Sequence, residues 1–261
     1  MTTDTVLITG ASTGIGAVYA DRLARRGHDL ILVARDRARL EALAGRLGDE
    51  TGRRVEVMVA DLTDPLGLRR VEGRLKADAA IGMLVNNAGM AASGTLAEVD
   101  PDLLERMVML NSVAPMRLAA AAARGFLARG RGTVVNIASV LALAPERFNG
   151  VYSATKGFVL NLSLSMRQEL GDKGIRVQAV LPGATRTEIW GRAGVDVDQF
   201  PAEMVMGVEE MVDAALLGLD RDEAVTIPPL PNVAEWERFT AARLAMGPNL
   251  SRSQVAARYR R

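Results

Sequence analysis

The sequence contains no cysteine. Disulfides, thiolate metal sites and cysteine nucleophiles are therefore excluded. Histidine occurs once, at His28, between Gly27 and Asp29 in an expected turn. A lone histidine leaves neither a Ser-His-Asp triad nor a histidine-rich metal site, so no metal is expected. Apolar runs stay short of the ~18 residues that a membrane span needs. The first residues lack the basic-then-apolar pattern of a signal peptide. A charge excess is missing too: 32 basic against 31 acidic residues leave +1. No strong field thus points to nucleic acid or an anionic membrane. Repeats, low-complexity tracts and a second domain are also lacking. The expectation is a soluble, cytoplasmic protein whose residues 1–261 form one domain. With 261 residues, 49% apolar and 24% charged, the chain can bury a substantial core.

What is present begins with an apolar run at 5–9, read as a buried strand. Gly10, Gly14 and Gly16 follow, then a helical pattern closed by Gly27. Glycines permit a tight turn and let backbone close on a pyrophosphate at a helix N-terminus. A second strand over 29–34 ends in Ala34-Arg35-Asp36. An acid there suits the ribose hydroxyls of NAD, whereas a nearby Arg suits the extra phosphate of NADP. Arg35 favours NADP over NAD; Asp36 fits as the N-cap of a helix over 37–48. A third strand, 55–60, leads to Asp61, which can accept the adenine amino group or make an Asx-turn. A fourth, 83–85, runs into Asn86-Asn87-Ala88-Gly89.

A long helix over about 101–129 contains Asn111 and Pro115. Pro115 has no N–H for the Asn111 carbonyl, so a kink is expected, with that carbonyl free to seat a water. A fifth strand, 132–137, precedes Ser139, whose hydroxyl can hold a carbonyl or alcohol oxygen, or simply make a turn. The helix from Val151 to about Leu170 opens with Tyr152-Ser153-Ala154-Thr155-Lys156. Tyr152 and Lys156 share a helical face, and an ammonium beside a phenol lowers its pKa. The pair is either an acid/base device or a solvated pair with a buried ring. Apolar residues on this helix (Phe158, Val159, Leu162, Leu164, Met166, Leu170) and on the preceding one (Leu118, Ala119, Ala122) are expected to offer a partner surface in part. A sixth strand, 175–181, leads to Pro182-Gly183-Ala184-Thr185-Arg186-Thr187. Residues at about 184–210 read as a lid, followed by a helix at 208–219, a short strand at 224–227 and a C-terminal extension at about 228–261. Met90, Leu141, Leu143, Trp190, Phe200 and Met204 would line an apolar pocket.

Together, Thr9-Gly10-Ala11-Ser12-Thr13-Gly14-Ile15-Gly16, Asn86-Asn87-Ala88-Gly89, Asn111, Ser139, Tyr152-x-x-x-Lys156 and Pro182-Gly183 resemble the short-chain dehydrogenase/reductase family. The resemblance implies a doubly wound α/β Rossmann fold with a seven-stranded parallel sheet. It implies NADP(H)-dependent interconversion of a carbonyl and an alcohol. The catalytic set would be Asn111, Ser139, Tyr152 and Lys156. The cofactor would meet Gly10, Ser12, Thr13, Gly14, Ile15, Gly16, Arg35, Asp61, Leu62, Asn87, Ala88, Gly89, Tyr152, Lys156, Pro182, Gly183, Thr185 and Thr187. A homodimer or homotetramer is expected. Two rivals stay open: an epimerase or dehydratase that retains its nucleotide, and a non-catalytic NADP-sensing regulator.

Overall fold

Six of the seven main strands are nearly continuous apolar runs of five or six residues, the pattern of parallel strands covered on both faces. In the computed structural model, which describes residues 4–260, they are β1 (Thr5–Thr9), β2 (Leu30–Ala34), β3 (Val55–Val59), β4 (Ile81–Asn86), β5 (Gly132–Ile137) and β6 (Ile175–Val180). Two short strands, β7 (Ala184–Thr185) and β8 (Val205–Met206), pair only with each other, and β9 (Val225–Thr226) completes the main sheet. The order is β3-β2-β1-β4-β5-β6-β9, all parallel. The chain moves outward from β1 to β3, then returns to β4. This reversal makes the C-terminal ends of β1 and β4 the crevice where an open parallel sheet binds ligands.

Alternate residues of each strand serve opposite layers. Leu7, Ile31, Val33, Leu84, Val134 and Val177 join one buried cluster with helices α3 (Pro65–Ala77), α5 (Ala114–Arg129) and α6 (Gly150–Leu170). Val6, Ile8, Leu30, Leu32, Val85 and Val135 join the other. That layer holds α1 (Gly14–Arg25), α2 (Arg37–Thr51) and α8 (Val208–Asp220). The seven-stranded, doubly wound α/β architecture expected from the motifs is therefore present.

The long helix expected at 101–129 is interrupted. It consists of α4 (Pro101–Val108), a π-helical turn at Met109–Val113, and α5. Pro115 cannot donate to the Asn111 carbonyl, and the Ala114 N–H reaches back five residues to Met109 O. The expected kink is thus a widened turn centred on Asn111. π-Helical turns of this kind often accompany functional sites.

The stripe expected to face a partner divides. Leu118, Ala119, Ala122, Val159, Met166 and Leu170 are buried in the chain's own core. Helical spacing alone could not separate them from the residues left outside. Leu96, Val108, Met116 and Phe158 remain exposed around an apolar groove of about 580 Å³.

Between β7 and β8 the chain makes an excursion containing α7 (Ile189–Arg192) and short 3-10 turns. Among the described residues, those up to 228 and those from 229 onward form two compact units. The second holds α9 (Val233–Ala245), capped by Asn232, with Trp236 and Phe239 ring centroids 5.5 Å apart. Among the described residues no helix is long and apolar enough to cross a membrane, and no acidic or histidine cluster could hold a metal.

Candidate active site

The glycine turn after β1 is fixed by contacts that leave no room for side chains. Gly10 and Gly14 have φ of +64° and +55°, conformations that favour glycine. A Cβ on Gly16 would sit 2.3 Å from Gly10 O and 2.5 Å from Asn87 Nδ2. Asn87 Nδ2 donates to Thr9 O (2.9 Å) and Gly10 O (3.1 Å), so the end of β4 pins this turn. The Asn87 and Ala88 amides donate to Thr9 Oγ1, each at 3.0 Å.

Helix α1 begins at Gly14 with no side-chain cap from Thr13, whereas α2, α3 and α6 are capped by Asp36, Asp64 and Asn149. An uncapped N-terminus beside a collapsed glycine cradle offers free N–H donors to an anion. The turn formed by Gly10, Ser12, Thr13, Gly14, Ile15 and Gly16 therefore fits a dinucleotide pyrophosphate.

At the end of β2, Arg35 is exposed, with Nη1 3.8 Å from Asp61 Oδ2. Asp61 makes the Asx-turn: its Oδ1 accepts from Thr63 N (2.8 Å) and Thr63 Oγ1 (2.7 Å). The helix cap is Asp64 instead, which accepts from Gly67 N at 2.7 Å. Leu62 is buried beside this turn. Asp36 caps α2 through Arg39 N at 3.0 Å, as its spacing suggests.

The polar residues of the opposite side converge between β4, β5 and α6. Asn149 caps α6 by accepting from Tyr152 N at 3.0 Å. One turn on, Lys156 is buried; its Nζ donates to Ile137 O at 3.0 Å and lies 5.6 Å from the Tyr152 ring centroid. A Cβ on Gly89 would fall 3.6 Å from Lys156 Nζ and 3.3 Å from Asn111 Oδ1, which places that glycine against both. Ser139 follows β5; its Oγ accepts from Leu141 N (3.2 Å) and donates to Pro182 O (3.5 Å).

The Asn111 side chain meets the backbone of Met90 and donates to Thr155 Oγ1 at 3.2 Å, so its amide is already engaged. Behind it, Asn86 Nδ2 donates to Pro115 O (3.1 Å) and Asn136 Oδ1 (2.9 Å), and Asn136 Nδ2 donates to Ser163 Oγ (2.9 Å). This buried chain joins β4, β5, α5 and α6; Tyr152 and Lys156 stand on α6, Ser139 just after β5 and Asn111 in the turn just before α5. Its amide nitrogens are partnered, whereas Asn86 Oδ1 is buried without a partner.

Burial dominates the local titration. It pushes the Tyr152 phenol up to about 12, with the Ser139 hydroxyl pulling the other way. Burial also pulls the Lys156 ammonium down to about 8. The sequence expectation that Lys156 lowers the phenol differs from this: burial raises it, and the group that pulls it down is Ser139. Both shifts favour neutral forms, the ordinary response to a low-dielectric setting.

Pro182 and Gly183 leave β6, and Thr185 is buried in β7, its hydroxyl donating to Gly183 O at 3.2 Å. Thr187 lies against Gly14. Of the expected pocket residues, Trp190 and Phe200 stack edge-on (5.2 Å), and Met90 packs in a small cluster with Tyr152. Leu141 is half-buried, whereas Leu143 and Met204 are exposed. Phe148 was not anticipated. It lies edge-on to both Tyr152 (5.7 Å) and Trp190 (6.0 Å), linking the α6 entrance to the excursion. Its only sequence signal is an aromatic four residues before Tyr152.

A doubly wound parallel sheet with a glycine cradle at its switch point defines a dinucleotide-binding protein of the Rossmann class. The short chain dehydrogenase family model matches residues 4–197, and the chain belongs to that family. It is similar to a short-chain dehydrogenase from Sphingobium yanoikuyae solved in complex with NADPH. The two share 56% identity over 98% of this chain and 100% of that one, with a TM-score of 0.96. It is also similar to the bulky-bulky ketone specific alcohol dehydrogenase from Comamonas testosteroni, at 49% identity over 99% of both chains and a TM-score of 0.92. A very-long-chain 3-oxoacyl-CoA reductase from Anas platyrhynchos is 33% identical over 188 residues. That match covers 70% of this chain but only 60% of the relative.

Proposed function

We propose that the protein is an NADP(H)-dependent reductase that interconverts a ketone carrying apolar substituents and its alcohol. The observation that carries this reading is the convergence of Ser139, Tyr152 and Lys156 on the rim beside the glycine cradle. NADPH, when bound, supplies the hydride. Gly10 to Gly16 would hold its pyrophosphate and Arg35 its extra phosphate. Asn87, Ala88, Gly89, Pro182, Gly183, Thr185 and Thr187 would border the rest of the groove.

Tyr152 donates its proton to the substrate oxygen as negative charge builds there. Burial keeps the phenol protonated at neutral pH, so the proton to be donated is in place. Ser139 orients that oxygen. Lys156, with a pKa near 8, gains and loses a proton close to neutrality and so can refill the phenol. Asn111 holds the Met90 backbone and, through its carbonyl, offers a seat for the water that links Lys156 to solvent.

The substrate reading draws on the aromatic series Tyr152–Phe148–Trp190–Phe200 and on the ketone-specific relative. Residues at about 184–210 would act as the lid over this pocket. The exposed apolar groove around Val108, Met116 and Phe158 supports assembly into a homodimer or homotetramer. The test is loss of NADPH absorbance with a panel of ketones of graded bulk. Consumption with ketones bearing two bulky apolar groups is expected. No consumption with any ketone would overturn the reading and favour a nucleotide-retaining isomerising enzyme or a sensor.

A further inference from the structure

After β6 the chain crosses the C-terminal rim of the sheet toward β2. Thr187 lies over the glycine turn, where a Cβ on Gly14 would meet its Cγ2 at 3.2 Å. The next residue, Glu188, places both carboxylate oxygens 2.9 Å from Arg39 Nη1, across 149 positions of sequence. Arg39 stands in the first turn of α2, with Nε 3.4 Å from Asp36 Oδ2. Arg192 Nη2 donates to Glu188 Oε2 at 2.6 Å. Four alternating charges, Asp36, Arg39, Glu188 and Arg192, therefore span from a capped helix to the excursion. The excursion's other ion pairs among the described residues, Arg186–Asp198 and Arg192–Glu188, are internal to it. Arg39–Glu188 is the one that ties it to the β2 side.

We propose that Arg39 and Glu188 form a clasp over the dinucleotide groove, a positioning pair that sets how long the nicotinamide cofactor stays bound. This rests on the dinucleotide reading above. Thr187 already lies against the cradle that would hold the pyrophosphate, and the clasp closes the same segment against the adenosine side. A cofactor leaving the groove must wait for the excursion to lift, and lifting breaks the pair. Both side chains are about half exposed (48% and 50%), so the clasp opens readily rather than locking. An exposed pair within a network contributes modestly, and salt screens it. The clasp does not itself hold the extra phosphate that separates NADPH from NADH; that is the part given to Arg35. It should therefore slow release of both cofactors alike.

The test is stopped-flow release of NADPH and of NADH from the holoenzyme, comparing wild type, Glu188→Gln and the reversed pair R39E/E188R. The reversed pair is read with NADH, so that a changed charge near Arg35 does not confuse the result. Glu188→Gln should speed release of both cofactors by roughly two- to fivefold. The KM for NADH should rise by a similar factor, and the reversed pair should recover only part of the loss, because each reversed charge then meets its like at Asp36 and at Arg192. High salt should shrink the difference between wild type and Glu188→Gln. Arg167→Gln, which breaks the distant Arg167–Asp222 pair, should leave release unaltered. Release unaltered in Glu188→Gln would overturn the clasp. So would a change confined to NADPH, or slower release, because either means that Glu188 only competes with a phosphate for Arg39. A wild-type protein that binds no NADPH would instead overturn the functional reading beneath it.

Discussion

The Asn111 side chain closes a two-point clamp on the backbone of Met90: Oδ1 accepts from Met90 N at 2.9 Å and Nδ2 donates to Met90 O at 2.8 Å. The clamp joins the π-helical turn to the segment that follows β4, and so fixes the loop that faces Lys156 through Gly89.

Asn111→Ala would leave both backbone groups of Met90 without these partners. Unpaired buried groups cost about 1–3 kcal/mol, and for a chain of this size that corresponds to a melting temperature lower by roughly 5 °C. Scanning calorimetry measures the stability loss and steady-state assays the accompanying fall in kcat. Asn111→Asp keeps the acceptor for Met90 N but turns a carboxylate oxygen toward Met90 O, so it should not recover the stability lost in Asn111→Ala.

Arg35→Ala should raise the KM for NADPH and leave that for NADH nearly unaltered. A hydrogen bond between a guanidinium and a phosphate contributes about 1.5 kcal/mol, or roughly tenfold in affinity. Parallel KM determinations with the two cofactors check this, and equal effects on both would remove Arg35 from the account of NADP preference.

Lys156 gives the site its pH dependence. With its ammonium near pKa 8, kcat/KM for ketone reduction should fall as pH rises through about 8. The stability effect has the opposite sign. The folded-state pKa lies below the ordinary lysine value of 10.5, so between about 8 and 10.5 the unfolded chain binds more protons and stability rises with pH. Burial of Tyr152, raised from 10 to about 12, reverses the trend above pH 10. Urea denaturation at pH 7 and pH 9.5 measures the difference, and Lys156→Met should lack the rise.

Much of this architecture is legible in sequence because the signals are local. Apolar runs punctuated by Gly10 and by the acidic caps Asp36 and Asp64 mark where strands end and helices begin. The parallel sheet follows from that alternation. What is not legible depends on pairs distant in sequence. Arg39 and Glu188 carry no pattern that connects them, and the β7–β8 pair is too short for any periodicity. Pro115 signals a break, but its form as a π-helical turn depends on the Ala114-to-Met109 hydrogen bond, which no propensity specifies. The apolar stripe of α6 misleads in the other direction. Spacing identifies Val159 and Phe158 as apolar, yet only packing decides that the first is buried and the second exposed. The Tyr152 shift likewise reflects burial by surrounding elements, which the adjacent Lys156 in sequence does not reveal.

The most direct test of the account is Tyr152→Phe, assayed by NADPH oxidation with an accepted ketone and by NADPH titration of the same preparation. Removing the proton donor should slow turnover by about 100-fold or more, while NADPH binds nearly as tightly as to wild type. Turnover within a few-fold of wild type would contradict the account.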